Sequence, residues 1–531
     1  MKSRPKLSDA SFILLLIVIS WLYNYHTILF HGPWLPHMWR QADCLSITMN
    51  YFKDNLSFFT PAVHWTGPEG HGRTMSEFPI IYFTVGKLWT LFGKHYFIYR
   101  IINIILVFSG LFSLYKISNK ILSDTFWAVF IPLFVFTSPA LVYYTNNFLS
   151  NAPAFGLALT ASYFYLLYKN SKQKKWLVAC VLAFTFAGLL KITSLIIFVA
   201  FLSFELLQML QKLSKKQNPL LQACKHFIPY LMVVAVIAAW YIYARDYNSK
   251  NVQNIFLQGL YPIWDLNQTQ IKEVLDKFYH NILPSFFNRK ALLAVLTLFV
   301  ADMVFLVKKG QRELSIIAIV FAGVLLYLTL WFKALDQHDY YLINLLILIP
   351  AVCLGFLFEL KKRFIVIFKS PYVKTVAAVF VILLITQSML INRIKYNAND
   401  PFLKANNITK TLDEEDFKYW NYKQNKYTET LHALESITPY LRELGIKRDD
   451  LVVSIPDVSI NISLVLMDQK GFTDYGYSEN KGKIHERMEN FKRIGAKYLI
   501  VNDENAIKQE EFNEYTQNQI GEYLNVKIYK L

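Results

Sequence analysis

Long runs of apolar residues, separated by short polar stretches, dominate residues 1–391 of the chain. A helix needs about 20 mostly apolar residues to cross a bilayer. About eleven segments meet or approach that length, and they cover residues 11–30, 96–115, 125–144, 152–168, 176–190, 192–209, 227–243, 291–307, 314–331, 341–360 and 373–391. The pattern predicts an α-helical polytopic membrane protein. The stretch 176–209 fits either two short helices that meet at residues 191–194 or one long tilted helix.

Lysine and arginine residues cluster in every second loop between the apolar segments. The clusters are Lys2, Arg4 and Lys6; Lys116 and Lys120; Lys169, Lys172, Lys174 and Lys175; Lys212, Lys215, Lys216 and Lys225; Lys308, Lys309 and Arg312; and Lys361, Lys362 and Arg363. Basic loops stay in the cytoplasm, so the remaining loops are predicted on the outer side of the membrane. The alternation holds only if 176–209 forms two helices, which favours that interpretation.

Four longer segments are then predicted on the outer face. They are the first outer loop (residues 31–95), a loop over 245–290, a short loop around 338–341 and the tail from about residue 392. The tail is polar, and it mixes helix-like patterns at 428–444 and 483–494 with strand-like patterns at 451–455, 497–501 and 526–529. We therefore predict a membrane domain over 1–391 and a small extracytoplasmic α/β domain over 392–531.

Composition agrees with a membrane protein and argues against other classes. Hydrophobic residues make up 54% of the 531 positions and charged residues only 18%. The formal net charge of +17 comes from short loops, and no patch resembles a nucleic-acid docking motif. The four cysteines (Cys44, Cys180, Cys224 and Cys353) show neither a disulfide framework nor metal-ligand spacing. We predict no metal and no cofactor, and we interpret the first apolar run as a retained helix rather than a cleaved signal peptide.

Two acids in the first outer loop are embedded among aromatic residues. Asp43 follows the sequence Trp-Arg-Gln-Ala, and Glu77 precedes Phe-Pro-Ile-Ile-Tyr-Phe. Acids in outer loops are usually only solvated. In partly apolar surroundings, however, a carboxyl group can act as a base or orient a hydroxyl. Asp43 and Glu77 are therefore candidate catalytic residues.

Four cationic side chains are predicted at or near the outer ends of apolar segments, although basic residues are generally more frequent on the cytoplasmic side. They are Arg100, Lys191, Arg245 and His338. Such cations often serve as interfacial anchors. If they converged at one level, they would suit an anionic headgroup such as a phosphate.

Several landmarks recur together in a known order. These are Trp39-Arg40-Gln41-Ala42-Asp43, Glu77 with Pro79 and Tyr82, Leu91-Phe92-Gly93, Arg100, Ser138-Pro139 with Tyr143-Tyr144, Gly188-Leu189-Leu190-Lys191, Trp240-Tyr241 before Arg245, and His338-Asp339-Tyr340-Tyr341. The layout resembles the GT-C fold membrane glycosyltransferases that use polyprenyl-phosphate sugars, the protein O-mannosyltransferase and lipid A aminoarabinose transferase group of glycosyltransferase family 39. The resemblance departs where many members carry an Asp, because Asn147 and Asn151 stand in that region here.

The resemblance implies a concrete reaction at the outer face of a bacterial cytoplasmic membrane. A sugar would pass with inversion from undecaprenyl phosphate, or another polyprenyl phosphate, to a hydroxyl or phosphate of a lipid, glycan or protein acceptor. Asp43 would accept or orient the proton of an attacking hydroxyl, and Glu77 would position the loop or the acceptor. Arg100, Lys191, Arg245, His338 and Tyr340 would bind the lipid phosphate without a metal, while the lipid tail lies in a groove between helices.

Three other function classes remain open at this point. A ligase or polymerase of cell-surface glycans shares the many-span layout, although such a protein is expected to carry its large loop later in the chain. A lipid or glycan transporter would carry more polar residues inside its spans, where this chain has few, and Asp302 lies near the cytoplasmic end of its segment. A receptor could use turns such as those at 455–457 and 502–503 of the tail to bind a ligand.

Overall fold

The computed structural model describes residues 9–213, 219–252, 255–256, 259–309, 314–405, 414–476, 484–508 and 510–531. Among the sequence predictions, those for Lys2, Arg4, Lys6, Lys215, Lys216, Arg312 and Lys483 lie outside these residues. The chain divides into two compact units. The helical unit comprises Met1–Leu29, Arg100–Tyr241 and Gly259–Asn392, and the mixed unit comprises Phe30–Tyr99, Ile242–Gln258 and Arg393–Leu531.

Helices make up most of the described chain. In order they are α1 (Asp9–Leu22), α2 (Tyr25–Ile28), α3 (Met38–Lys53), α4 (Ile80–Phe92), α5 (Tyr96–Leu122), α6 (Thr125–Val135), α7 (Pro139–Thr145), α8 (Asn151–Ser171), α9 (Lys174–Leu190), α10 (Ile196–Leu213), α11 (Pro219–Lys250), α12 (Gln268–Lys277), α13 (Leu283–Phe286), α14 (Arg289–Lys309), α15 (Ser315–Leu330), α16 (Leu348–Arg363), α17 (Ile365–Lys369), α18 (Pro371–Tyr396), α19 (Pro401–Ala405), α20 (Glu414–Thr430), α21 (Thr438–Glu443), α22 (Ile462–Leu466) and α23 (Ile484–Ile494). Short 3-10 segments include Ile192–Leu195 before α10 and Asp339–Ile347 before α16.

Six of the described helices are long and apolar enough to cross a membrane. They are Tyr96–Leu122, Ile192–Met209, Phe227–Lys250, Arg289–Val307, Asp339–Arg363 and Pro371–Tyr396, and the pair α6–α7, bent by 79°, makes a seventh if it counts as one span. The chain is therefore an integral membrane protein. The count of eleven spans stays a prediction, since α1 and α15 are apolar but shorter.

Local chemistry explains two features of the helical unit. The stretch 176–209 forms two helices, because Lys191 adopts an extended conformation (φ −155°, ψ 116°) between the end of α9 and the 3-10 turn that leads into α10. Helices α5 and α8 approach closely at Gly110 and Gly156, where a Cβ added to Gly110 would lie 2.5 Å from the Gly156 Cα. Small residues at such crossings let helix backbones pack directly against each other in a membrane.

The mixed unit is built on a five-stranded sheet in the order β2-β1-β3-β5-β4. The strands are β1 (Leu451–Ile455), β2 (Gly471–Phe472), β3 (Ala496–Val501), β4 (Gln519–Tyr523) and β5 (Val526–Lys530). Strand β1 runs parallel to β2 and β3, and β5 is antiparallel to β3 and β4. The three strands expected from the sequence lie within one residue of β1, β3 and β5, whereas β2 and β4 were not expected.

Both faces of the sheet are covered with apolar side chains. One face carries Val452, Ile500 and Ile528 against Leu434 and Leu441, and the other packs Val453, Leu499 and Val501 against Met488 and Phe491. Trp34, Met38 and Trp65 of the first outer loop join the first cluster. Residues 30–99 thus share a core with the tail, and the division of the chain at 391/392 into two domains stays a prediction.

Candidate functional site

Helix α3 is the element that presents Asp43. It begins after His37, which adopts a left-handed conformation (φ 55°), and the amide of Gln41 donates to the carbonyl oxygens of Trp34 and Pro36. These bonds fix the chain where it enters the helix. Every residue from Gln41 to Tyr51 is buried, so the polar side chains of this helix need partners inside the protein.

The Asp43 carboxylate lies in the interior of the mixed unit, where 2% of the residue is exposed. Its Oδ1 accepts a hydrogen bond of 2.9 Å from the Asn461 side-chain amide, and its Oδ2 lies 3.8 Å from Nη1 of Arg40. Burial raises the pKa of Asp43 to about 6, although Arg40 and the Asn461 hydrogen bond act in the opposite direction. At neutral pH the carboxylate is mostly ionised and can still bind a proton.

Arg40 links the two acids that the sequence singled out. Its Nη2 donates to Oε2 of Glu77 at 2.5 Å, while its Nη1 faces Asp43. Glu77, 7% exposed, lies just before Pro79, the N-cap of α4. Among the described residues, Nη1 of Arg40 has no hydrogen-bond acceptor. In the sequence analysis Arg40 appeared only as part of a motif, whereas in the structure its side chain lies between Asp43 and Glu77.

Residues of the tail complete this site, and sequence reasoning missed them. Asn461, which immediately precedes α22, is separated from Asp43 by more than 400 positions in the chain. Ser46 lies one turn beyond Asp43 on α3, hydrogen-bonds to Nδ1 of His64 at 2.8 Å and reaches Asn461 at 3.3 Å. His64 in turn has Nε2 3.5 Å from Asp468. Only the folding of the tail brings these positions together, so neither spacing nor composition in the sequence connects them.

Arg100, in the helical unit, is fully buried. Its Nη1 donates to the carbonyl oxygen of Asn146, and its guanidinium lies 4.2 Å from the ring centre of Phe148. These contacts hold the turn between α7 and α8. The predicted role of Arg100 in phosphate binding stays a prediction beside this structural one.

Lys191, His338 and Tyr340 lie on segments that meet around the 3-10 stretch Asp339–Ile347. Lys191 occupies the break between α9 and the turn Ile192–Leu195, and that turn joins the 3-10 stretch through a hydrogen bond of 3.0 Å from Asn344 to Thr193. The backbone of Tyr340 accepts from Asn151 at 3.1 Å, and its ring lies 5.2 Å from that of His338. The side chain of Asn151 thus supports the segment that carries Tyr340.

Arg245 belongs to the other unit. It lies on the part of α11 assigned to the mixed unit, and its side chain is exposed. The convergence of Arg245 with the cations of the helical unit stays a prediction.

An apolar cavity of about 290 Å³ opens in the helical unit. Its walls come mainly from α13, α14, α15, the stretch Asp339–Ile347 and the start of α16, with Leu342 and Leu345 on the same segment as Tyr340. All the residues that line it are aliphatic or aromatic hydrocarbons. A cavity of this chemistry suits a hydrocarbon chain.

One group of side chains in the described residues has ligand atoms close enough to hold a metal ion. Oxygen or nitrogen atoms of His485, Glu489 and Glu514 lie within 4.8 Å of one another at the surface of the mixed unit. The hydroxyl of Tyr515 hydrogen-bonds to both His485 and Glu489. These residues have protein partners without an ion, and we assign no metal to them.

No family model and no curated protein matches the sequence, but solved structures match the fold. ArnT from Cupriavidus metallidurans in the apo state aligns with a TM-score of 0.57 at 9% identity, over 98% of this chain and 97% of that one. The same protein bound to undecaprenyl phosphate aligns with a TM-score of 0.58. The apo oligosaccharyltransferase of Archaeoglobus fulgidus aligns with a TM-score of 0.51 at 10% identity, over 93% of this chain and 69% of that one. The chain has the GT-C fold.

Three features of this chain could take part in chemistry or in binding. The mixed unit holds a buried carboxylate between a guanidinium and an amide, and the helical unit holds Lys191 at the end of α9 and an apolar cavity. At identities of 9% and 10%, these matches show the fold alone and give no residue of this chain a function.

Proposed function

We propose that the protein is a membrane glycosyltransferase that moves a sugar from a polyprenyl-phosphate donor to an acceptor hydroxyl or phosphate. The observation that carries the proposal is the buried Asp43 carboxylate, held between Arg40 and Asn461 in a chain with the GT-C fold. ArnT, which shares the fold, has been solved with undecaprenyl phosphate bound. Undecaprenyl phosphate is therefore the donor carrier that we propose.

With a hydroxyl acceptor, Asp43 is the general base. The acceptor oxygen attacks the anomeric carbon of the sugar, its proton passes to Asp43, and the bond between that carbon and the phosphate oxygen breaks. The lipid phosphate leaves with the bonding electron pair, and the anomeric configuration inverts. A carboxylate with a pKa of about 6 suits this step at pH 7 because it is available as a base and can release its proton afterwards. Glu77 holds Arg40 in place and so positions Asp43 indirectly.

Cationic groups and the hydroxyl of Tyr340 stabilise the departing lipid phosphate in this proposal. Lys191, His338 and Tyr340 are assigned to the phosphate because they lie on segments that join at the 3-10 stretch Asp339–Ile347. Arg245 is exposed and available to an anion, whereas Arg100 acts through the α7–α8 turn that it holds. Charge-assisted hydrogen bonds to a leaving phosphate lower the barrier most when they are preformed.

The apolar cavity is the proposed site of the donor's lipid chain. It shares the segment Asp339–Ile347 with the proposed phosphate ligand Tyr340, so a lipid bound there would have its phosphate near that residue. A single polyprenyl chain is much longer than the cavity, and most of it would remain in the bilayer.

We propose that the reaction takes place on the outer face of a bacterial cytoplasmic membrane, with the tail as an extracytoplasmic domain. The alternation of basic clusters supports this orientation, because the C-terminal ends of α5, α8 and α16 carry lysine and arginine residues and the first outer loop precedes α5, at its other end. Labelling of single cysteines introduced into the first outer loop and at the C-terminal end of α16 (361–363), with a membrane-impermeant reagent, tests the orientation.

Transfer assays on purified protein test the proposed function. The native protein, Asp43→Asn and the control Asp54→Asn are incubated in detergent with labelled undecaprenyl-phosphate sugars and a membrane extract. Asp54 lies at the end of the same helix and pairs with Arg448, so the control changes an acid of α3 outside the proposed centre. Transfer by the native protein and the control, but not by Asp43→Asn, is the expected result.

Two other results would count against parts of the proposal. Equal transfer by Asp43→Asn at normal abundance removes Asp43 as the base and keeps the enzyme class. Absence of transfer from every such donor by well-folded native protein contradicts the proposed function itself.

A further inference from the structure

We propose that Asn461, in the C-terminal segment, is a positioning residue that orients the Asp43 carboxylate and favours its ionised form. The tail would then contribute a side chain to the site around Asp43 and would not be only an appended domain. The inference rests on the proposed function only in taking Asp43 as the base. The geometry that supports it lies entirely within the mixed unit.

The hydrogen bonds of Asn461 define which way its amide points. Its Oδ1 accepts from the backbone N–H of Trp65 at 2.9 Å and from the hydroxyl of Ser46 at 3.3 Å. A backbone N–H can only donate, so the oxygen of the amide must face Trp65. The NH₂ group must therefore face Asp43, to which it donates at 2.9 Å. A donor aimed at a carboxylate favours its charged form.

The N-cap hydrogen bonds of α22, which an asparagine at the N-cap position usually accepts, are accepted here by other residues. Asn461 is the N-cap of α22, where an asparagine side chain commonly accepts from the first helical N–H groups, but it makes no such bond. Ser459 accepts from the N–H of Ile462 at 2.9 Å, and Asp457 accepts from the N–H of Ser463 at 2.8 Å. The start of α22 is thus satisfied without Asn461, whose side chain is directed to Asp43.

A buried chain of hydrogen bonds holds Asn461 in place. Ser46 is bound twice by His64, through the backbone N–H at 2.7 Å and through Nδ1 at 2.8 Å. Asn461, Ser46 and His64 are all fully buried. Helix α22 also packs against α3, the helix of Asp43. Rotation of the Asn461 amide would leave the N–H of the half-buried Trp65 without its acceptor and would direct the amide oxygen at the Asp43 carboxylate, and both changes are unfavourable.

Four charged or polar groups act on Asp43 from the elements packed around it. Arg40 on α3 and the Asn461 amide favour the carboxylate, whereas Glu77, before α4, and Asp457, before α22, disfavour it by like charge. Burial disfavours it as well. Removal of the Asn461 donor should move the titration of Asp43 upward by about one pH unit, the shift expected for one hydrogen bond to a charged group.

The test is an infrared titration of Asp43 between pH 4 and pH 9. The carbonyl band of the protonated carboxyl is assigned by its loss in Asp43→Asn, so the measurement needs no substrate and no activity. We compare the native protein, Asn461→Leu, Asn461→Asp and the control Asn502→Leu. Asn502 is also buried and donates to a backbone carbonyl, that of Thr430, elsewhere in the same unit.

Asn461→Leu should raise the midpoint by about one pH unit relative to the native protein. Asn461→Asp keeps the acceptor for Trp65 and places a second carboxylate at Asp43, so it should raise the midpoint further and serves if the leucine variant does not fold. Asn502→Leu should leave the midpoint unchanged. In the transfer assay, the acidic limb of kcat/KM should follow the infrared midpoints.

Midpoints of both Asn461 variants that coincide with the native value overturn the inference, as does an equal shift in Asn502→Leu. Shifted midpoints in a native protein that transfers no sugar would contradict the proposed function and leave the positioning of Asp43 supported. The two failures are therefore distinguishable.

Discussion

Replacement of Arg40 by methionine should protonate the proposed base at neutral pH. At the observed 3.8 Å, with an effective dielectric constant of about 20, the attraction between Arg40 and ionised Asp43 is about 4 kcal/mol, or about three pKa units. The pKa of Asp43 would rise from about 6 to about 9. Only about 1% of the carboxyl would then be ionised at pH 7, and kcat/KM at that pH should fall about 100-fold.

The assay is the pH profile of sugar transfer from the lipid-linked donor. Activity of Arg40→Met should recover as the pH approaches 9, which separates it from Asp43→Asn, where no base exists at any pH. Arg40→Lys keeps the positive charge and should retain a profile near that of the native protein. A folded Arg40→Met protein whose profile superimposes on the native one would refute the electrostatic argument. Thermal unfolding is measured in parallel, because an unpaired Glu77 carboxylate costs about 3–5 kcal/mol of stability.

Three further results are expected. Asp43→Asn should unfold at a higher temperature than the native protein at pH 8 but not at pH 4. The pKa of Asp43 is about 6 in the folded protein and 3.8 ordinarily, so the native protein loses about 3 kcal/mol of stability as the pH rises from 3.8 to 6, and the asparagine variant does not. Leu345→Trp, which fills the apolar cavity, should raise the KM for the donor about tenfold with little change in kcat, whereas Leu326→Trp on the exposed face of α15 should not, as steady-state kinetics would show. Gly471→Ala should cost more than about 2 kcal/mol in denaturant unfolding, because its Cβ would lie 1.9 Å from a carbonyl oxygen of β1, while Gly445→Ala, with φ +80° and open space around it, should cost only about 1 kcal/mol.

Hydrophobic length and loop charge were enough to predict the helical framework. The predicted segment 192–209 coincides with one candidate span, and the division of 176–209 was correctly inferred from the alternation of basic loops. The bend of 79° between α6 and α7 was not predicted, because the apolar run 125–144 continues across it. Ser138 and Pro139, which the sequence showed only as landmarks, begin the new helix: the Ser138 hydroxyl accepts from the N–H of Leu141.

The edges of the sheet were harder to predict than its centre. Strands β1, β3 and β5 carry runs of buried apolar residues that are visible in the sequence. Strand β2 has only two residues, Gly471 and Phe472, and its pairing depends on the absence of a side chain at Gly471. Strand β4, at the sheet edge, is mostly exposed or half-buried, so it lacks the apolar signal of a core strand.

The two acids of the site were found from their aromatic neighbours, but their partners were not. Arg40 was noted only as part of the motif that precedes Asp43, and the structure shows that it lies one helical turn from this acid and pairs with it. Asn461 was invisible, since a single asparagine in a polar tail is ordinarily a turn residue, and only the folding of the tail around β1 brings it to α3. Contacts between segments separated by hundreds of residues leave no trace in a single sequence's periodicity.

The surroundings of Asp43 make its burial compatible with the role of base that we propose for it. Burial alone would favour the neutral acid and leave it unable to accept a proton at neutral pH. Arg40 and Asn461 reverse part of that effect, so that at a pKa of about 6 roughly 90% of the carboxyl is ionised at pH 7. Glu77 and Asp457 act against them and keep the group basic enough to bind a proton. The first outer loop and the tail are thus both needed to set the protonation of one carboxylate, which is a physical reason for the two segments to share a core.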